Sequence, residues 1–93
     1  MDIIKDKMEK ILEEMGFVKT YIGDSKFYKN NFTGCYHSII YVSGLKSYII
    51  ESAENYEEAK KGRFEDSDIY HISMGEDEIL AKFRGDLVKY YLD

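Results

Sequence analysis

Two groups of residues in this chain could carry chemistry: one thiol with two imidazoles, and a dense set of carboxylates. Cys35 and His37 lie two positions apart, so on a β-strand both side chains point to one face, as a thiolate and imidazole pair requires. A zinc site normally takes three or four protein ligands, and His71 is the remaining soft ligand. A small metal-dependent enzyme built on these three residues is therefore one hypothesis, although a lone cysteine is more commonly a small buried hydrophobe.

The carboxylates are concentrated in residues 51–78, where ten acidic residues accompany only three basic ones. That segment carries a net charge of −7, whereas the other 65 residues sum to +2, so the segment accounts for the whole formal charge of −5. A field of this sign repels phosphate backbones and attracts basic surfaces. The charge pattern therefore favours a basic protein as partner and opposes nucleic-acid binding.

The acidic segment also contains aromatic side chains, which supply contact area at protein interfaces. We predict that it forms a docking surface for a basic protein. The alternative is that these carboxylates only keep the chain soluble. The residues predicted to form the surface are Glu51, Glu54, Glu57, Glu58, Glu65, Asp66, Asp68, Tyr56, Phe64 and Tyr70.

Signatures of other chemistry are missing from the sequence. It has neither the glycine-rich loop nor the Gly-Lys-Ser/Thr motif that cradles phosphates. Residues 64–69 lack the ligand spacing of a calcium-binding loop. Clustered acids of this kind do not indicate the single carboxyl in an apolar pocket that acid catalysis uses. We therefore predict a protein that is not an enzyme and holds no cofactor or metal.

Length and composition predict one folded domain spanning residues 1–93, because 44% of the residues are apolar and 15% are aromatic. A single cysteine cannot form an internal disulfide, which is typical of a reducing compartment. The charged N-terminus lacks the apolar core of a signal peptide, and no apolar run approaches the length of a membrane span. These features predict a cytoplasmic protein that does not bind membranes.

The elements that must position these residues follow from hydrophobic periodicity. Residues 3–15 repeat apolar positions every three or four residues, which predicts an amphipathic helix ended by Gly16. Short β-branched and aromatic runs separated by turn residues then predict antiparallel strands. Their spans are 17–22, 25–30, 35–43 and 46–53, with an optional fifth, edge strand at 68–72.

The C-terminal half predicts two further helices. A short one is expected at 56–61, and Ser73 with Glu76 forms a capping box that predicts the start of the last one. The predicted class is therefore α+β: an N-terminal helix, a four- or five-stranded antiparallel sheet, and C-terminal helices packed on one face.

Five tyrosines are spread across the predicted strands and suggest a second function. An exposed tyrosine-rich sheet face or an edge strand would suit a homo-oligomeric adaptor or a structural protein, with a homodimer as its simplest form. The tyrosines are Tyr21, Tyr28, Tyr36, Tyr41 and Tyr48.

The C-terminal half also carries a family resemblance, in residues 62–70, 74–80 and 86–91. With its acidic loop, tyrosine and capped helix, it resembles small acidic Firmicute proteins, some of which are grouped with predicted immunity proteins of polymorphic toxin systems. The resemblance covers about residues 50–91, and Gly75 stands where a proline is expected in such relatives. It implies a non-enzymatic cytoplasmic inhibitor that binds a toxin one to one, and it transfers no functional residue.

Overall fold

A five-stranded antiparallel sheet forms the centre of the molecule. The structure is a computed structural model that describes residues 2–91, with side chains as far as Lys89. Each strand pairs with its neighbour in the chain, so the sheet is a meander whose edges are the first and last strands. The strands are β1 (Val18–Ile22), β2 (Ser25–Lys29), β3 (Tyr36–Val42), β4 (Ser47–Ala53) and β5 (Glu65–His71).

Within residues 2–91, three α-helices accompany the sheet: α1 (Ile3–Glu14), α2 (Tyr56–Lys61) and α3 (Glu76–Asp86). A π-helical turn, Leu87–Tyr91, extends α3. The predicted α+β class is confirmed, but the two C-terminal helices do not pack on one face as predicted: α3 and α2 lie on opposite faces of the sheet. The side chain of Tyr91, which continues the apolar stripe of the last helix in the sequence, lies outside the described side chains. None of the helices within residues 2–91 is long and apolar enough to cross a bilayer.

The main core lies between one face of the sheet and the helices α1 and α3. The helices contribute apolar residues at helical spacing, and the strands contribute alternate residues of the same face. Burying each of these side chains contributes about 1.5–3 kcal/mol. The cluster comprises Met8, Ile11, Leu12, Phe17, Tyr28, Ile39, Tyr48, Ile50, Tyr70, Ile79, Phe83 and Leu87.

The opposite face of the sheet is covered at one end only. Ala59 of α2 packs there with Phe27, Tyr36 and Ala53 in a second, smaller cluster. Away from α2 the face is open, and Ile69 of β5 is 57% exposed on it. We refer to this part of the sheet as the open face.

The tyrosine-rich face expected from the sequence is not a surface. Tyr28 and Tyr48 are buried beneath α1 and α3, and Tyr36 is buried in the cluster with α2. The hydroxyl of Tyr48 donates to Asp2 Oδ1 at 2.8 Å. Burial, together with this bond, raises the pKa of Tyr48 to about 12. Most of the strand tyrosines therefore serve as core residues.

The prediction of a capping box at Ser73 is wrong. Ser73 lies in a 3₁₀ turn, Ile72–Met74, and its hydroxyl oxygen is 2.8 Å from His71 Nδ1. Gly75 is the residue before α3 and makes no side-chain cap. The turn that leaves β5 closes through a bond from Gly75 N–H to the Ile72 carbonyl, which displaces Ser73 from the helix start. The three acids of the first turn still complement the helix dipole.

The fifth strand forms and is longer than its sequence pattern indicates. It begins at Glu65 rather than at residue 68, because Glu65 and Asp66 pair with Ser52 and Glu51 of β4. A β-bulge between Ile50 and Glu51 interrupts the ladder and gives β5 one additional residue at that point. Pairing in the sheet thus extends the strand into residues of low β propensity.

Candidate protein-binding surface

The thiol and the two imidazoles are not brought together. His37 lies opposite Ser52 near one end of β4, and His71 lies opposite Ser47 at the other end. Cys35 precedes β3 and is not on a strand. No group of three or more His, Cys, Asp or Glu side chains within the described part of the chain has an arrangement that could hold a metal ion. The geometry therefore gives no support to the metal-dependent enzyme.

His37 is a buried core residue that faces serine. It is 3% exposed, and its Nδ1 is 2.7 Å from Ser52 Oγ, which is in turn 2.7 Å from Ser67 Oγ. The ring of Phe17 packs edge-on against the imidazole, with centroids 5.5 Å apart. Burial lowers the pKa of His37 to about 4. An imidazole that resists protonation in this way is a poor general base for Ser52, so we assign the array a structural role.

Three of the predicted carboxylates line one cleft. Glu54, Glu58 and Glu65 surround a cleft of about 750 Å³ where β4 ends, α2 packs on the sheet and β5 begins. Phe64 contributes an apolar wall, and its ring stacks on that of Phe27 with centroids 5.7 Å apart. These side chains are close in space although they are distributed over twelve positions of sequence, from residue 54 to residue 65.

A pair of like charges adjoins this cleft. Glu51 and Asp66 lie directly opposite each other on β4 and β5. Partial burial and the charge of Asp66 raise the pKa of Glu51. No Lys or Arg of the described residues forms an ion pair with either carboxylate. Like charges placed opposite each other on adjacent strands destabilise a sheet, and a cation from another molecule would relieve the repulsion.

The cleft and the pair define what we call the acidic surface, formed by Glu51, Glu54, Glu58, Glu65 and Asp66. Its compensation within the protein is partial, because Lys5 and Lys26 line a neighbouring cleft together with Glu51, and Arg63 lines the cleft of about 750 Å³ itself. Arg63 lies 3.9 Å from Glu58, and its side chain is 69% exposed. This ion pair offsets one of the five carboxylates, so the formal charge of the surface stays negative. An exposed ion pair of this length contributes at most about 1 kcal/mol.

The remaining residues of the predicted site occupy different positions. Glu57 is exposed on α2, and Tyr56 beside it is 46% exposed with its ring 6.2 Å from that of Tyr36. Asp68 is half-buried and lies opposite the core residue Ile50, on the sheet face that the helices cover. Tyr56 can therefore supply contact area at the edge of the acidic surface, whereas Asp68 points away from the open face.

Tyr70 was predicted to lie on the docking surface, and this prediction is wrong. It is fully buried, its hydroxyl donates to Asp86 Oδ2 at 2.7 Å, and its ring packs edge-on against Phe83. It anchors β5 to α3 and is unavailable to a partner. At the start of α3, Glu76 forms an ion pair with Lys7 of α1 at 2.8 Å. The acidic segment is thus divided between the acidic surface and the helix layer.

The position of α2 depends on its capping residue, Asn55. Its Oδ1 accepts a hydrogen bond from Glu58 N–H at 2.9 Å, and Gly62 ends the helix in a left-handed conformation with φ of 74°. Replacing Asn55 with Ala is expected to lower the free energy of unfolding by about 1 kcal/mol, since an N-terminal amide loses its acceptor. Urea denaturation would measure the loss. Asn55→Asp restores an acceptor and should retain most of the stability, and equal losses in both variants would contradict the assignment.

Sequence reasoning overlooked the importance of Ile69 and of the β5 edge. Residues 65–68 contain three acids and a serine, a composition that is typical of a loop. The one sequence signal for this edge was Ile69, an apolar residue next to a polar run. Its exposure could be recognised only after the structure had shown that this face of the sheet is open. Local composition therefore concealed the first three residues of this edge strand, Glu65 to Ser67.

The fold and this surface define a small α+β protein with an open antiparallel meander and an acidic patch at one end. Comparison with models of known families, with curated proteins and with solved structures finds no match to this chain. Its function must therefore be argued from its own geometry.

Proposed function

We propose that this protein is a non-enzymatic binding module, an immunity-type inhibitor that uses its acidic surface to bind a basic protein such as a toxin. One observation carries the proposal. Glu51, Glu54, Glu65 and Asp66 gather where β4 ends and β5 begins, and none of them has an ion pair with a described Lys or Arg.

Electrostatics explains how such a surface would act. Carboxylates gathered at one end of a sheet steer a basic partner during encounter and raise the association rate, and this effect weakens as salt screens the field. Each exposed pair with a partner lysine or arginine adds roughly 0.2–1 kcal/mol. Affinity therefore needs apolar contact as well, and the exposed part of Tyr56 and the Phe64 wall of the cleft are placed to supply it.

Two other functions from the sequence have less support. A tyrosine-mediated oligomer requires side chains that are buried inside this monomer, as Tyr28, Tyr36 and Tyr48 are. A metal-dependent enzyme requires Cys35, His37 and His71 to converge, and the two histidines lie opposite the two ends of β4 instead. The charge-neutralising variants described next distinguish a solubilising role of the carboxylates from a role in docking.

Neutralising the acidic surface is expected to abolish partner recovery. The test variant is Glu54→Gln/Glu65→Gln/Asp66→Asn, and the control is Glu13→Gln/Asp77→Asn/Glu78→Gln, which removes the same charge from exposed positions on α1 and α3. The tagged wild-type and control proteins should retain the same basic partner from lysate of the native host, detected by mass spectrometry, and the test variant should lose it. Equal losses in both variants would identify the carboxylates as merely solubilising.

The inhibitor role also predicts a phenotype in the native host. Deleting the gene should sensitise cells to the partner protein, and the control variant should restore resistance while the test variant does not. Recovery of no basic partner, together with unchanged sensitivity after deletion, would remove the proposal.

A further inference from the structure

The outer edge of β5 is an exposed strand edge. Within residues 2–91, β5 pairs with β4 alone. The N–H of Ile72 donates to the Lys46 carbonyl at 2.9 Å, and the register continues through Ser47 opposite His71. Bonded and non-bonded pairs alternate along an antiparallel ladder. The backbone groups of Tyr70 therefore face β4, and those of Ile69 and His71 face outward.

The side chains along this edge combine charge with one apolar residue. Glu65 and Asp66 are exposed, and Asp68 is half-buried. Ile69 projects from the open face and is 57% exposed. An edge strand of seven residues with outward N–H and C=O groups is a template for another strand, and edge charges oppose pairing with the wrong chain.

We propose that the β5 edge binds an extended segment of a basic protein as a sixth strand of the sheet. This inference rests on the proposed function and names how the partner is held. Main-chain hydrogen bonds to Ile69 and His71 would supply the pairing, and side chains at alternate positions would supply the selectivity. A lysine or arginine next to Asp66 and an apolar residue next to Ile69, both on the open face, would complement the charges and the exposed isoleucine.

Charge complementarity favours a basic partner over a second copy of this chain. Two copies joined at this edge would place two chains of formal charge −5 side by side, and β5 has no Lys or Arg to pair with Glu65 and Asp66 of the other copy. A second copy could instead pair its β1, where Lys19 is exposed, with the β5 edge of the first copy. Each added copy would then present a new open β5 edge, so the assembly would grow without closing. Self-association is therefore the competing outcome, and light scattering detects it.

The test uses a labelled peptide that carries Lys or Arg and Val two positions apart, with Ser or Thr between them, so that the basic and apolar side chains lie on the same face of the strand. A second peptide of the same sequence carries N-methyl groups on alternate backbone nitrogens. Fluorescence anisotropy measures binding of each to the full-length protein. N-methylation keeps every charge and side chain but removes the pairing donors of one edge. Binding of the methylated peptide should be weaker by about tenfold or more, because two or more hydrogen bonds are lost.

Variants of the protein supply the reciprocal test. Ile69→Pro removes an outward N–H without removing a bond to β4, and should abolish peptide binding, whereas Ile69→Thr should retain part of it. Glu65→Gln/Asp66→Asn should weaken binding about fivefold, and Asp77→Asn/Glu78→Gln should have little effect. Circular dichroism confirms that each variant is folded. Hydrogen exchange should show the amides of Ile69 and His71 becoming protected when the peptide binds.

The outcomes of these tests distinguish a failure of this inference from a failure of the proposed function. Equal binding of the methylated and unmethylated peptides would overturn strand pairing and leave the acidic surface in place as an electrostatic site. Failure of both peptides to bind, or light scattering that reveals only self-association, would also overturn the inference. The proposed function itself fails only if the host yields no basic partner that depends on the acidic surface.

Discussion

Lowering the pH from 7 to 5 is expected to reduce the free energy of unfolding by about 2 kcal/mol through His37 alone. Burial holds the pKa of His37 at about 4 in the folded protein, against 6.5 when the side chain is free in water. Between those two values the unfolded chain binds the proton and the folded protein does not. Stability is therefore fully present above pH 6.5 and falls as the pH drops toward 4.

Other titrating groups act differently in this range. Partial burial and Asp66 raise the pKa of Glu51, so protonating Glu51 at acidic pH favours the folded state and opposes the His37 effect. Burial alone would raise the pKa of Asp86, but hydrogen bonds from Tyr70 and Lys82 outweigh it and hold this pKa below 3.8. The contribution of the Asp86 carboxylate to the free energy of unfolding is consequently retained between pH 7 and pH 5.

Urea denaturation at a series of pH values measures the slope of stability against pH. His37→Phe should remove most of the slope between pH 7 and pH 5, whatever its effect on stability at neutral pH. His71→Gln is the matched control because it removes the other, exposed histidine and should preserve the slope. A slope that persists in His37→Phe, or an imidazole that titrates near pH 6.5 by NMR, would refute the assignment of His37 as a buried neutral group.

Replacing Phe83 with Ala is expected to lower the free energy of unfolding by about 3–5 kcal/mol, which a domain of this size can barely tolerate. Phe83 is fully buried, and its ring meets that of Tyr70 edge-on with centroids 5.7 Å apart. The substitution removes the apolar contact between α3 and β5 and leaves a cavity beneath the sheet. Chemical denaturation should show a much lower midpoint or no cooperative transition.

The same substitution at an exposed site is the control. Phe32 is 91% exposed, so Phe32→Ala should change stability by no more than about 0.5 kcal/mol. Phe83→Leu retains most of the buried volume and keeps the measurement possible if Phe83→Ala does not fold. Similar effects of Phe83→Ala and Phe32→Ala would mean that α3 does not pack on the sheet in this way.

The core contact at Phe83 also bears on the function we propose. Tyr70 is the buried residue of β5, and its contacts with Phe83 and Asp86 hold the strand against α3. An edge that is fixed in this manner loses little freedom when a partner strand pairs with it, which favours affinity. Helix α3 therefore supports the proposed docking edge from the far side of the sheet.

Local patterns were sufficient for α1, α2 and the first four strands. The apolar spacing in α1 is set by the helical repeat, and the turns at Gly23 and Gly44 separate β-branched runs, so these elements could be placed within one or two residues. The start of β5 could not be placed from the sequence, because Glu65 and Asp66 have little intrinsic preference for a strand. The capping box failed because a tight turn after β5, a product of tertiary packing, placed Gly75 at the helix start.

Composition and order along the chain determined the α+β class, the amphipathic helices and the surplus of negative charge in residues 51–78. The tertiary structure decided which of those charges meet. Glu51 and Asp66 are fifteen positions apart and become direct neighbours through the pairing of β4 with β5, while Tyr70 turns into the core. Periodicity describes contacts within one element, whereas strand register and the choice of covered face depend on packing between elements distant in sequence.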